Sequence, residues 1–125
     1  MVSYLMIALG GALGALARYA VGGFVQSRMG AVFPYGTLVV NLTGCLLMGF
    51  VMTLIGDRVV VAPEFRFLVP IGFIGAYTTF STFELETFRV IEDGAWLIGA
   101  ANVAVSVFLG FLAIWLGTLA ARKLF

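Results

Sequence analysis

The sequence lacks histidine, has a single cysteine and carries few charges. Without histidine, it offers no imidazole to activate a nucleophile or to bind a metal ion. The lone Cys45 cannot form a disulfide within the chain, and in an apolar run it is more typical of buried filler than of a reactive thiol. Only 10% of the residues are charged, the net charge is +1 and the basic residues are scattered singly, which argues against a nucleic-acid partner.

Apolar residues, by contrast, are in large excess. Hydrophobic side chains make up 62% of the 125 residues, and the mean hydropathy is +1.14. A soluble domain of this length exposes so much of its surface that it could not hide this apolar content. A lipid bilayer can act as the solvent instead, so the composition predicts an all-α integral membrane protein. No basic segment precedes the first apolar run, which favours a retained helix over a cleaved signal.

The apolar runs and the residues that interrupt them predict four membrane crossings in a single domain spanning residues 1–125. About 20 apolar residues suffice for one crossing, and Pro34, Pro63 and Gly94 mark short connections. The crossings leave no room for a soluble domain, and the sequence has no obvious internal repeat. The predicted helices cover roughly residues 2–25, 35–55, 65–92 and 95–121.

The basic residues near the helix ends say little about orientation. With four crossings, both termini and the second connection share one side of the membrane, and the excess of lysine and arginine on that side is small. One interpretation is that the two basic residues near the C-terminus determine the orientation alone and place the C-terminus in the cytoplasm. The other is dual topology, in which copies insert both ways and pair antiparallel. The basic residues are Arg58, Arg66, Arg122 and Lys123 on the first side, and Arg28 and Arg89 on the other.

Small residues recur at helical spacing in the first and fourth predicted helices. Residues four apart lie on one helix face, and small residues allow close contact between helices in lipid. These stripes predict helix packing and an oligomer, because four helices alone enclose little space. The stripes are Gly10, Gly14, Arg18 and Gly22 in the first helix, and Asn102, Ser106, Gly110 and Thr118 in the fourth.

Two polar residues lie well inside predicted crossings. Arg18 either reaches the membrane surface with its long side chain or keeps a water-filled vestibule electropositive. Asn41 shares a helix face with Thr37 and Cys45. Its amide either makes an interhelical hydrogen bond or offers N–H groups to a permeating anion. For both residues the two interpretations stay open.

The third predicted helix contains a weakened turn followed by hydroxyl residues. Pro70, Gly72 and Gly75 precede Thr78. Non-helical backbone at membrane depth occurs where it is buried in protein or lines a cavity. An unwound turn exposes carbonyl oxygens, which suit a hard cation such as sodium. The sequence therefore predicts a helix break with oxygen donors at this turn.

The residues after the turn suit an anion. Phe80 and Phe83 lie on one face if the helix resumes, and the edge of an aromatic ring is its positive side. Thr78, Thr82 and Glu86 form a stripe at i, i+4 spacing, to which Ser81 adds a hydroxyl. Alternatively, the phenylalanines fill the core and the hydroxyls bond to carbonyls four residues back.

The carboxylates near the end of this crossing do not suggest an enzyme. Glu84 and Glu86 either mark the headgroup region, or Glu86 continues the hydroxyl stripe as an acceptor that orients those hydroxyls. Paired catalytic carboxylates are not indicated, because no nucleophile or set of metal ligands accompanies them.

Three features of the sequence resemble the Fluc (CrcB-type) family of fluoride channels. They are "GTLVVNLTG" (Gly36 to Gly44), "GAYTTFSTFELE" (Gly75 to Glu86) and Arg18 after a glycine-rich first helix. The likeness extends over essentially the whole chain, including the "LGTLAARKL" ending. The sequence departs from the more usual pattern at Tyr77 and Glu84.

The resemblance implies a fluoride-selective ion channel that passively exports cytoplasmic fluoride across the cell inner membrane and relieves fluoride toxicity. It also implies an antiparallel, dual-topology homodimer with two pores, each lined by both subunits. A structural sodium ion at the dimer interface would be the only cofactor.

The resemblance also implies roles for individual residues. Phe80 and Phe83 would present ring edges to the pore, and Asn41 would be the amide donor that also orients them. The carbonyl oxygens of Gly75 and Thr78 would hold the sodium ion. The remaining implied residues are Arg18 in the vestibule and Ser81, Thr82, Thr37 and Glu86 along the pore.

Two other classes fit the sequence less well. A small multidrug-type, proton-coupled antiporter is also a short four-crossing protein with dual topology, but it needs a titratable carboxylate in the membrane, usually in its first helix. The first predicted helix here contains Arg18 and no acid. A structural or assembly subunit would not need the polar groups of the third helix.

Overall fold

The computed structural model describes residues 1–58 and 61–124, and every regular element in those ranges is helical. The predicted connection between the second and third helices includes residues 59–60, which lie outside the described residues. The α-helices are α1 (Val2–Met29), α2 (Tyr35–Thr53), α3 (Pro63–Arg66), α4 (Gly75–Tyr77), α5 (Phe80–Glu92) and α6 (Trp96–Leu124), with π-helical stretches at Leu54–Arg58 and Phe67–Ile74.

Helix α1 is one turn longer than the sequence predicts, because it continues to Met29 instead of ending near residue 25. It stops at Gly30, whose φ of 102° is a conformation that glycine adopts without steric cost. In the extra turn, the Gln26 side chain donates to the Phe33 carbonyl (3.1 Å) and accepts from the Gly36 N–H (2.9 Å). The polar last turn of α1 therefore supplies a hydrogen-bond acceptor at the start of α2, where backbone N–H groups have no partner within the helix.

The third predicted helix is divided into shorter helical segments. α3 begins with Pro63, whose fixed φ and missing N–H suit a first turn. Pro70 lies in the π-helical stretch Phe67–Ile74, where its ring and its missing N–H disturb the regular hydrogen-bond ladder. Thr78 and Thr79 have extended backbone, with ψ of 156° and 116°. The chain is therefore non-helical for two residues between α4 and α5.

Glycines bring α1 directly against the π-helical stretch. A Cβ atom on Gly10 would overlap the Leu68 carbonyl oxygen, and one on Gly14 would overlap the Phe73 carbonyl oxygen. Only glycine leaves room for this approach of two backbones. The packing role predicted for the small residues of the first helix is confirmed at these two positions.

Helices α2 and α6 also pack closely along each other because glycines lie at their contact. A Cβ atom on Gly49 would overlap the Ile114 carbonyl oxygen, and one on Gly117 would overlap the Leu46 carbonyl oxygen. The Thr118 hydroxyl, part of the predicted polar stripe, donates to the Gly49 carbonyl at 3.5 Å. The two helices thus form a closely packed pair beside the divided segment.

Within residues 1–58 and 61–124, three helices are long and apolar enough to cross a membrane by length and composition: Val2–Met29, Tyr35–Gly56 and Trp96–Leu124. Most of their residues are not buried within the chain. Phe108 and Phe111 of α6, for example, are 75% and 78% exposed. Such uncovered apolar surface suits a lipid environment, where apolar side chains cost nothing to expose.

We expect Gly14→Ala to destabilise the protein, because the added methyl group meets the backbone of Phe73. Overpacking of this kind costs about 1–3 kcal/mol, so the detergent-purified variant should melt at a lower temperature than the unsubstituted protein. Gly11→Ala is the matched control, since a Cβ atom there meets nothing within 4 Å. Equal melting temperatures for the two variants would contradict the close packing of α1.

Candidate functional site

The extended backbone at Thr79 is held by the side chain of Asn41 in α2. The Asn41 amide nitrogen donates to the Thr79 carbonyl oxygen at 3.0 Å, and the Thr79 N–H donates to the Asn41 side-chain oxygen at 2.8 Å. Buried backbone groups require partners, and Asn41 supplies both. The interhelical hydrogen bond, one of the two interpretations of Asn41, is therefore present. The second amide N–H remains for another acceptor.

Thr79 also caps the helix that follows. Its hydroxyl oxygen accepts from the Thr82 N–H at 3.3 Å and donates to the Thr82 hydroxyl at 2.9 Å. Threonine favours the N-cap position because its side-chain oxygen satisfies an N–H group that has no partner inside the helix. The sequence-based prediction gives Thr79 no role. The sequence does contain a signal for this cap: a hydroxyl residue, Thr79, follows the weakened turn, and another, Thr82, comes three positions later.

A glycine in α2 lets the extended residues approach closely. A Cβ atom on Gly44 would overlap the side-chain methyl of Thr78 and would stand 3.4 Å from the Tyr77 ring. A cavity of about 280 Å³ adjoins this contact. It is lined by Asn41, Gly44, Cys45, Thr78, Thr79 and Phe80, among others.

The two residues predicted to hold a sodium ion, Gly75 and Thr78, lie just before α5. In a continuous helix the Thr79 N–H would bond to the Gly75 carbonyl, but Asn41 accepts that N–H. The Thr82 N–H would likewise bond to the Thr78 carbonyl, but it donates to the Thr79 hydroxyl. Both carbonyls thus lose their regular helical donors. Neutral carbonyl oxygens are the donor type that hard cations accept, so these residues fit a sodium ion chemically.

Phe80 and Phe83 lie side by side in different surroundings. Their ring centroids are 5.8 Å apart and their planes are tilted by 47°. Phe83 is only 7% exposed, whereas Phe80 is 74% exposed. The chain itself therefore covers one ring of the pair and leaves the other open.

A cavity of about 410 Å³ is lined by four of the predicted polar residues. They include the two charged residues of the predicted site, Arg18 and Glu86. One carboxylate oxygen of Glu86, Oε2, is buried without a hydrogen-bond partner among the residues that the structure describes. Arg18 lines this cavity, as the vestibule interpretation requires. The predicted residues around the cavity are Arg18, Thr37, Thr82 and Glu86, and Thr79 joins them.

The predicted stripe of Thr78, Thr82 and Glu86 is wrong in its first member. α5 begins after Thr79, so Thr78 is not in helical register with Thr82. Thr79 takes its place beside Thr82 and Glu86, whereas Thr78 lines the 280 Å³ cavity. The Thr78 hydroxyl donates to the Ile74 carbonyl at 3.1 Å, four residues back. For this hydroxyl, the alternative interpretation is the correct one.

Glu86 also lines a second and larger cavity, of about 610 Å³. Arg89 and Asp93, near the C-terminal end of α5, line it together with Gln26. The two cavities share Glu86, which therefore stands between the end of α5 and the cavity of Arg18.

A buried polar pair fixes α5 against α6 at the level of Phe83. The Thr87 hydroxyl donates to the Phe83 carbonyl at 2.7 Å, and the Asn102 amide donates to the Thr87 hydroxyl at 2.8 Å. Ser106 in turn donates to the Asn102 side-chain oxygen at 3.5 Å. The helix contact predicted for the polar stripe of the fourth helix is confirmed.

Three predicted site residues, Gly75, Phe80 and Ser81, are exposed on the surface of the chain, and so is Glu84. Gly75 precedes the extended pair and Ser81 follows it, next to the uncovered ring of Phe80. The residues of the predicted site are therefore divided between cavities inside the chain and an open surface beside Thr78.

Comparison with known proteins identifies the family of this chain. Residues 5–118 match the model of the family described as CrcB-like protein, Camphor Resistance (CrcB). The chain is 50% identical over 122 residues to the fluoride-specific ion channel FluC of Solibacter usitatus (strain Ellin6076), which covers 98% of this chain and 100% of the relative. It is 51% identical over 118 residues to FluC of Citrifermentans bemidjiense, covering 94% of this chain and 95% of the relative. With FluC of Acidobacterium capsulatum it shares 47% identity over 123 residues and 98% of both chains.

These matches cover nearly the whole chain, and the part of it that the structure describes has three helices able to cross a membrane by length and composition. It is a multi-pass membrane protein, and because its family is one of ion channels, the prediction that it is not an enzyme is confirmed. The resemblance found in the sequence is confirmed as well: the chain belongs to the CrcB-like family, the Fluc family of fluoride-specific ion channels.

Proposed function

We propose that this chain is a fluoride-selective channel that passively exports cytoplasmic fluoride across the inner membrane and so relieves fluoride toxicity. One observation carries the proposal. Asn41 holds an extended backbone segment beside a cavity lined by hydroxyls and Arg18. The chain is also half identical to relatives named as fluoride-specific ion channels.

The proposal includes a fourth crossing, made of the segments from Pro63 to Glu92. Each helical residue rises about 1.5 Å, so the segments on the two sides of Thr78–Thr79 add up to roughly 40 Å, more than the ~30 Å hydrocarbon core. Non-helical backbone at this depth is tolerated where protein surrounds it, and Asn41 bonds both backbone groups of Thr79. A broken third helix is therefore physically reasonable.

A fluoride path needs closely spaced donors. Moving a carboxylate-sized ion into a medium of low dielectric constant costs on the order of 20 kcal/mol by the idealised Born estimate, and a smaller ion costs more. A hydrogen bond to a charged group returns roughly 1.5–3 kcal/mol. Several weak donor sites in series, in a pore too narrow for chloride, would favour fluoride and still let it leave.

The residues of the chain supply such donors in sequence. The Arg18 guanidinium would attract fluoride into the 410 Å³ cavity, where Thr37 and Thr82 offer hydroxyls. The free N–H of Asn41 and the ring edges of Phe80 and Phe83 would continue the path past the extended residues. Ser81 would add a hydroxyl, and the carboxylate of Glu86 would orient the hydroxyls near it.

The pore would be completed by a second copy of the chain. Phe80 is 74% exposed, and Gly75 and Ser81 beside it are exposed as well, so one copy leaves this part of the site open. The weak charge bias across the membrane is compatible with insertion in both directions. We therefore propose an antiparallel, dual-topology homodimer with two pores, each lined by both subunits.

The carbonyl oxygens of Gly75 and Thr78 would meet their counterparts from the partner copy at the dimer interface. Their regular helical donors are taken by Asn41 and Thr79. When bound there, a structural sodium ion supplies positive charge that holds the four carbonyls together. Two residues of this chain would keep the carbonyl oxygens available to the ion, because Asn41 keeps the backbone extended and Thr79 caps α5.

Efflux from liposomes tests the function and its aromatic site together. In vesicles loaded with fluoride and chloride, ion-selective electrodes should record fluoride efflux through the unsubstituted protein and no chloride efflux. If a ring edge contributes about as much as a hydrogen bond to a charged group, Phe80→Ile should slow fluoride efflux about tenfold to hundredfold. Phe88→Ile, on the same helix and 56% exposed, is the matched control and should keep the rate. No fluoride efflux from the unsubstituted protein, or equal efflux of chloride, would refute the proposed function.

Accessibility labelling tests dual topology. Ser3, at the start of α1, is replaced by cysteine in a Cys45→Ser background, which leaves one thiol in the chain. In intact spheroplasts an impermeant thiol reagent should label one part of the population, and the rest should react only after the membrane is permeabilised. Lys123→Cys in the same background should divide in the same way, because four crossings place both termini on one side. Complete labelling from one side alone would contradict antiparallel pairing.

A further inference from the structure

Tyr77, the last residue of α4, is buried and forms a hydrogen bond to α2. It is 6% exposed, and its hydroxyl lies 2.9 Å from the Thr43 hydroxyl oxygen. Thr43 Oγ1 also lies 2.7 Å from the Val39 carbonyl oxygen and 3.1 Å from the Val40 carbonyl oxygen. Either hydroxyl can donate in the bond between Tyr77 and Thr43.

The Tyr77 ring has a neighbour on one face and another at one edge. It stacks on Phe73 with a centroid distance of 5.9 Å and an interplanar angle of 7°, and its edge lies against Gly44 of α2. Neither contact ties the far end of the side chain to α2. The bond to Thr43 does so, because it holds the Tyr77 hydroxyl against one atom of that helix.

Three consecutive residues thus contact a single turn of α2, each by a different contact. Tyr77 bonds to Thr43, the Thr78 methyl rests against Gly44, and the Thr79 backbone bonds to Asn41. Asn41 holds the residue next to α5. Among the described residues of α4, the segment that contains Gly75, Tyr77 is the one whose side chain hydrogen-bonds to α2.

We infer that Tyr77 and Thr43 are positioning residues for the carbonyl oxygens of Gly75 and Thr78. The inference rests on the proposed function, which assigns those oxygens to a sodium ion. Without the hydroxyl pair, the C-terminal end of α4 loses its side-chain bond to α2, while Asn41 still holds Thr79. The oxygens would then be less well placed for the ion, although the fold persists.

Sodium-dependent melting of the detergent-purified dimer tests this without any measurement of transport. Melting temperatures are recorded while sodium replaces N-methylglucamine as the only metal cation. The melting temperature of the unsubstituted protein should rise with sodium, since an ion that binds only the folded state stabilises it. Loss of one hydrogen bond should raise the sodium concentration for half of that rise about threefold to tenfold in Tyr77→Phe.

Matched variants separate positioning from general stability. Thr43→Val should shift the sodium midpoint as Tyr77→Phe does, and the double variant should shift it no further, because both changes remove one interaction. Thr43→Ser keeps the hydroxyl and should restore the original midpoint. Tyr35→Phe removes the same atom from the start of α2 and should leave the midpoint unchanged.

The outcomes distinguish this inference from the proposed function. If the unsubstituted protein melts at the same temperature with and without sodium, the sodium site is refuted and the inference with it, whatever the fluoride efflux. If sodium stabilises the protein but Tyr77→Phe has an unchanged midpoint, only the inference is overturned. A melting temperature that falls equally at every sodium concentration would likewise mark a purely structural bond and overturn it.

Discussion

The two hydrogen bonds between the Asn41 side chain and the Thr79 backbone are the interaction on which the rest of the site depends. A buried peptide group without partners costs several kcal/mol in an apolar environment, so a bare extended residue would be drawn back into a continuous helix. Asn41 removes that penalty at one residue. Once Thr79 is held, its hydroxyl is free to cap α5, and the register of every residue after it is set.

This one constraint separates two kinds of chemistry along a short length of chain. Before the extended residues, the C-terminal end of α4 leaves carbonyl oxygens, which attract cations; after them, the N-terminal end of α5 presents N–H groups, which attract anions. The close packing that makes the arrangement possible comes from glycine. Gly44 admits Thr78 against α2, and Gly10 and Gly14 admit the π-helical stretch against α1. The cavity lined by Thr78 lies beside the contact at Gly44.

Composition and residue types predict much of this molecule, because a membrane class and the presence of long apolar helices depend on length and hydropathy alone. The close packing of α1 was also predictable, since glycines four apart have one common use in lipid. The register after Thr79 was not predictable: spacing rules assume a continuous helix, and two extended residues moved the polar stripe from Thr78 to Thr79. The bond between Tyr77 and Thr43 joins residues 34 positions apart, which no local pattern encodes. The exposure of Phe80 likewise follows from tertiary packing alone.

Amide hydrogen exchange at Thr79 tests the central role of Asn41 most directly. Although it lies outside a helix, the Thr79 N–H should exchange slowly in the unsubstituted protein, because it is bonded to the Asn41 side-chain oxygen at 2.8 Å. In Asn41→Leu, which has a similar shape and no hydrogen-bonding group, the loss of that bond should speed exchange about tenfold. Helical amides of α2 and α6 in the same sample should keep their protection. Equal exchange at Thr79 in the two proteins would contradict the account.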